Sequence, residues 1–151
     1  MKRQFVMGVA AVALTLATGV TPGMASGYTH TQAACMATQI YKKMLLRAPD
    51  PGGLYTATDY LVQGHSMLKL ATNTALSPEF YNRFLAGKTP TAMAKIMYER
   101  LLGREPENGF VVKQHATQIF SYGWQAGIGG FTGSPEFKDY WVFRVGVDLC
   151  D

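Results

Sequence analysis

The sequence predicts an all-α fold: one small bundle domain of two tandem helical units of about 57 residues, closed by a disulfide near its ends. Three observations predict it. The quartet Ser77-Pro78-Glu79-Phe80 returns as Ser134-Pro135-Glu136-Phe137, 57 residues later. The same offset joins Tyr41 to Tyr98, Leu45 to Leu102, Arg47 to Arg104, Pro49 to Pro106 and Gly52 to Gly109. Apolar residues then recur three and four apart, the mark of one helix face, and no stretch alternates convincingly as a β-strand does. A repeat of this length is one supersecondary unit, and such units serve scaffolds and binding surfaces.

The start of the chain stands apart. Lys2 and Arg3 precede an uncharged apolar run from Phe5 to Val20, and Gly23-Met24-Ala25 places small residues before a cut. Residues 1–25 are expected to be a secretory signal peptide cleaved near Ala25 and Ser26. The apolar run is short for a membrane span, and no later run is long enough. The expected location is therefore outside the cytoplasm: periplasmic, cell-surface or extracellular. Removal of Lys2 and Arg3 leaves 12 basic against 10 acidic residues. Nucleic acid is not an expected partner, because its binding needs clustered Lys and Arg.

Residues 26–151 are expected to form the helical domain, with unit one at about 37–87 and unit two at about 94–144. Ala37, Ile40 and Met44 mark the first apolar face, and Ala94, Met97 and Leu101 repeat it. Leu54, Ala57 and Leu61 mark a second helix in unit one; Val112, Ala116 and Ile119 mark its counterpart. Ser66 to Ala71 reads as a further helix. Phe137, Tyr140, Trp141 and Val145 line a terminal one. Asp50, Ser77, Thr89 and Ser134 each precede a proline, the pattern of an N-cap followed by a first-turn Pro. Glu79 and Glu136 then fall in first turns, where the helix dipole favours a carboxylate. Gly123 to Gly133 holds five glycines, so a loop or frayed turn is expected there.

Cys35 and Cys150, the two cysteines of the chain, are expected to pair in an oxidising compartment. The bridge would tie the first helix to the last.

Tyr98-Glu99-Arg100-Leu101-Leu102-Gly103-Arg104-Glu105-Pro106 and Ile40 to Leu54 resemble the Y-x-x-L-L-G-R-x-P-D-x-x-G opening of the phycobilisome linker domain. They equally resemble a related domain of unknown function in secreted and cell-surface bacterial proteins. In both families a small-residue–Glu–aromatic element follows some 25 residues on, here Ser77 to Phe80 and Ser134 to Phe137. The resemblance covers about Gln39 to Trp141. It implies an all-α fold and an interaction role without chemistry of its own. The signal peptide and terminal cysteines depart from the cytoplasmic linkers and favour the secreted relatives.

No catalytic constellation is expected. Glu105 and Glu107 share a turn without a histidine nearby, and glycosidase chemistry needs two carboxylates across a cleft. His30, His65 and His115 lack metal-site spacing. Met36, Met44, Met67, Met93 and Met97 are read mainly as core fillers. No cofactor or metal is expected. Arg47 and Arg104 follow helix ends, where they can bond carbonyls and, with Asp50, set the angle between helices; as bidentate donors they could instead meet a partner. Tyr122, Trp124 and Phe131 form either an exposed patch or a plug for the core, and both readings stay open. The expected function is a non-catalytic exported module binding a protein or cell-surface glycan. The alternatives are a small secreted hydrolase and a periplasmic ligand or metal carrier.

Overall fold

The computed structural model describes residues 27–151, and the expected signal peptide at residues 1–25 lies outside them. Among the described residues every regular element is helical. They run α1 (His30–Met44), α2 (Pro51–Val62), α3 (Met67–Ala75), α4 (Pro78–Phe80) continuing into a π-wound segment π1 (Tyr81–Leu85), then α5 (Pro90–Leu102), α6 (Gly109–Tyr122), α7 (Trp124–Thr132), α8 (Pro135–Lys138) continuing into π2 (Asp139–Val147), and α9 (Asp148–Cys150). No described helix is long and apolar enough to cross a membrane.

The helix starts follow from local chemistry. The side chains of Asp50, Ser77, Thr89 and Ser134 accept the amide three residues on, and a proline fills the next position each time. Ser66 caps α3, Asn108 caps α6, and Thr29 forms a reciprocal capping box with Gln32. Each such cap is worth about 1 kcal/mol. At the other end, α5 closes on Gly103 at φ 67°, and the matching position after α1 is Leu46 at φ 52°. A β-carbon at Gly103 would collide with the Tyr140 ring, so glycine is required there by space as well as by backbone.

Both Ser-Pro-Glu-Phe helices begin with α turns and then widen. The amide of Ala86 donates to Tyr81 O at 2.9 Å, five residues back, and that of Asp148 donates to Phe143 O. Three-and-four periodicity places the terminal helix without distinguishing this wider winding.

The apolar faces meet in one core. Trp141, Phe80, Phe137, Ile40, Met44, Leu61, Met97, Leu101 and Ile128 are fully buried within it. Each stripe named from the sequence points inward, with Leu54 and Tyr140 half-buried at its margins. Met36, Met44, Met67 and Met97 are core residues, and Met93 packs against them. Trp141 also carries a polar contact inward: its Nε1 donates to Leu101 O at 2.8 Å. That carbonyl lies in the last turn of α5, where no intrahelical donor is left for it.

The expected loop at Gly123 to Gly133 is instead the helix α7. Tertiary packing overrides helix propensity here. A β-carbon at Gly127 would lie 2.5 Å from Ile119 Cγ1, so its absence lets α7 pack close against α6. Ile128 and Phe131 fill the buried face, and close packing outweighs the roughly 1 kcal/mol that each glycine costs a helix.

Cys35 in α1 and Cys150 in α9 are joined, with Cα atoms 5.7 Å apart and 115 residues of separation. Gln32 Nε2 donates to Asp151 Oδ1 at 3.1 Å beside the bridge. Closing so long a loop restricts the unfolded chain by roughly 4–5 kcal/mol in the chain-entropy model. Cys35→Ser is expected to lower the melting temperature in non-reducing buffer while far-UV circular dichroism keeps its helical amplitude. An unchanged melting temperature would show that the bridge contributes nothing.

Candidate functional site

Two groups of charged side chains sit at equivalent places in the fold. Arg47 leaves the turn after α1 and reaches Glu79, 32 residues on, with a two-pronged contact: Nε to Oε1 at 2.6 Å and Nη2 to Oε2 at 2.8 Å. Its Nη1 donates to Ala48 O at 2.9 Å and to Asp50 Oδ1 at 3.3 Å. The guanidinium lies 4.8 Å from the centre of the Tyr41 ring.

Arg104, 57 residues later, repeats this with Glu136, also 32 residues on. Its Nη1 donates to Glu105 O at 2.9 Å, Nη2 lies 2.7 Å from Glu107 Oε1, and Tyr98 takes the place of Tyr41. Every partner differs from its counterpart by the same offset.

The electrostatics follow from this pairing. The hydrogen bond from Arg47 holds the Glu79 carboxyl below the usual range, and both guanidiniums are held more firmly protonated by their glutamates. Asp50 is lowered first by the Gly53 amide it caps. Glu107 is lowered by its own backbone amide and then by Arg104. Burial raises the hydroxyls of Tyr41 and Tyr98.

The carbonyls that the two arginines bond belong to the turn residues Ala48 and Glu105, not to the preceding helix ends, which corrects the expected helix-end contact. The forks meet glutamates of the same chain. Glu79 and Glu136 occupy their expected first turns, and their second role was missed. The signal for it was present: Arg and Glu recur at one offset.

The three aromatic candidates separate. Phe131 is buried, stacked on His115 with ring centres 4.3 Å apart and meeting Tyr98 edge-on at 4.9 Å. Trp124 is half-buried against Tyr81, their ring centres 5.0 Å apart. Tyr122 is 78% exposed. The plug reading therefore describes Phe131, and the exposed reading describes Tyr122.

The exposed aromatic surface belongs to α6, where Phe110 is 68% and Phe120 82% exposed. These two were missed because they lie off the buried Val112–Ala116–Ile119 stripe. Phe110, Lys113, Thr117 and Phe120 nevertheless follow helical spacing and define a second face of α6. Between that face and α5 runs an open groove of about 680 Å³, lined by Pro90, Lys95, Val112, Lys113, Ala116 and Phe120, with Glu105 and Asn108 toward the start of α6.

Tyr60 stacks on His65 with ring centres 4.0 Å apart. Among the described residues no group of three or more His, Cys, Asp or Glu is placed to hold a metal ion. Comparison of the chain with models of protein families and with curated proteins finds no match in either.

Two outcomes follow. Glu79→Gln is expected to cost about 1–2 kcal/mol at neutral pH, and Glu136→Gln less, because the second pair is more exposed to water. Glu79 has a lowered folded pKa, so its contribution is present above about pH 4.3 and fades as pH falls through the folded value. Urea melts from pH 6 to 2 should show a shallower acid loss in Glu79→Gln; identical slopes would refute the pairing's role.

His115 is held below its usual pKa by burial, opposed by Glu107, and its Nδ1 is buried with no hydrogen-bond partner among the described residues. Its contribution should be complete above about pH 6.5 and shrink as pH falls below that. Replacing it by Gln should flatten stability between pH 7 and 5, and a retained slope would assign the effect elsewhere.

Proposed function

We propose that this protein is an exported, non-catalytic helical interaction module that holds a protein or cell-surface glycan partner on the outer face of α6. The observation that carries the reading is the line of exposed aromatic residues there, Phe110, Phe120 and Tyr122. Large apolar side chains grouped on a surface mark contact sites, and tyrosine is favoured at interface hot spots.

Other features support it. The Cys35–Cys150 bridge is compatible with an oxidising compartment outside the cytoplasm, as is the expected signal peptide. The resemblance to the phycobilisome linker domain and its secreted relatives points to assembly rather than reaction. The carboxylates drawn together in this fold, Asp50 with Glu79 and Glu107 with Glu136, are each bound to an arginine. Such pairing suits a structural clamp more than a general acid.

The test is capture from native cell-surface extract with the oxidised protein as bait. The double variant Phe110→Ala, Phe120→Ala should lose at least about tenfold in capture, since two hot-spot truncations of about 1 kcal/mol or more each suffice for that. Its melting temperature should stay within about 2 °C, since both rings are exposed. Equal capture by wild type and variant would refute the α6 face as the contact surface.

A further inference from the structure

Resting on that reading, we infer that the α5–α6 groove takes an acidic amphipathic helix of a protein partner. The groove lies between two packed helices, Pro90–Leu102 and Gly109–Tyr122, and opens along α6. A depression of about 680 Å³ beside paired helices has the shape that receives the apolar face of a third. Its floor is apolar, built from Pro90, Val112 and Ala116, and Phe120 is exposed at its edge. An occupant must therefore bring apolar side chains.

The charge of the groove selects the rest. Lys95 and Lys113 line it, and among the described residues neither lies within ion-pair distance of a carboxylate. The start of α6 adds the positive end of a helix dipole at Asn108 and Gly109. Glu105 opposes this at the same end, next to Arg104, whose fork is already held by Glu136. The excess positive charge thus sits along Lys95 and Lys113 and fits acidic residues flanking an apolar stripe.

The neutral polar groups are already partly committed inside the chain. Thr117 Oγ1 donates to Lys113 O at 2.9 Å, and Asn108 Oδ1 accepts from the amides of Phe110 and Val111. A glycan, which needs many neutral hydrogen-bond partners, is served less well than a peptide that brings carboxylates and apolar anchors.

The experiment is selection of a phage-displayed library of random 14-residue peptides on the oxidised protein, run in parallel on Lys95→Glu, Lys113→Glu. Both lysines are exposed, so the variant should fold, which its circular dichroism and melting temperature verify. The expected result is an enriched pool with an excess of Asp and Glu and with apolar residues spaced three and four apart. The variant should lose that acidic bias. A representative synthetic peptide should bind the wild type at least about tenfold more tightly than the variant, and more weakly as salt rises.

A pool without acidic bias, or the same pool on both proteins, overturns the inference. So does binding of a uronic-acid oligosaccharide with no peptide enrichment, which would assign the groove to a glycan. Partner capture lost on Phe110→Ala, Phe120→Ala but unchanged in the lysine variant would leave the proposed function standing and remove this refinement alone.

Discussion

The two-pronged contact between Arg104 and Glu136 fixes the geometry on which the α6 face depends. Arg104 stands in the turn that ends α5 and begins α6, and it grips that turn from three sides: Glu105 O, Glu107 and Glu136. The turn sets how α6 returns along α5, and hence the groove between them. Arg47 and Glu79 hold the α1–α2 turn in the same way. These pairs are partly exposed, so their contribution comes from fixed geometry and several shared hydrogen bonds rather than from burial of charge.

Around these clamps the core supplies most of the stability. Trp141 links the two: it fills the centre and satisfies the carbonyl of Leu101, just before the Gly103–Arg104 turn. Gly103 lets that turn take a left-handed conformation beneath the Tyr140 ring. The disulfide closes the far side by joining α1 to α9, so both ends of the described chain are tied to the same core. A rigid frame of this kind leaves the outward face of α6 pre-formed, which lowers the ordering cost of binding.

Much of the frame was legible because it is written in local chemistry. Asp50, Ser77, Thr89 and Ser134 cap helices through contacts three residues away, and the apolar stripes follow from spacing alone. The cysteine pairing followed from there being two. What escaped depends on residues distant in sequence. The helix at Trp124–Thr132 contradicts glycine propensity because Ile119 of α6 needs the space at Gly127. Arg47 and Glu79 are 32 residues apart, and no local pattern joins them. Phe110 and Phe120 were passed over because attention to the buried stripe of α6 hides the face beside it, although Tyr122 was recognised as a candidate and is exposed.

The most direct measurement is a double-mutant cycle at the clamp that governs the groove: Arg104→Met, Glu136→Gln and the pair, each unfolded in urea at neutral pH. The account predicts a coupling of about 1 kcal/mol or more, with the double variant scarcely less stable than either single one. Single effects that add to within about 0.3–0.5 kcal/mol would contradict it, and would mean that the turn before α6 is held by the core alone.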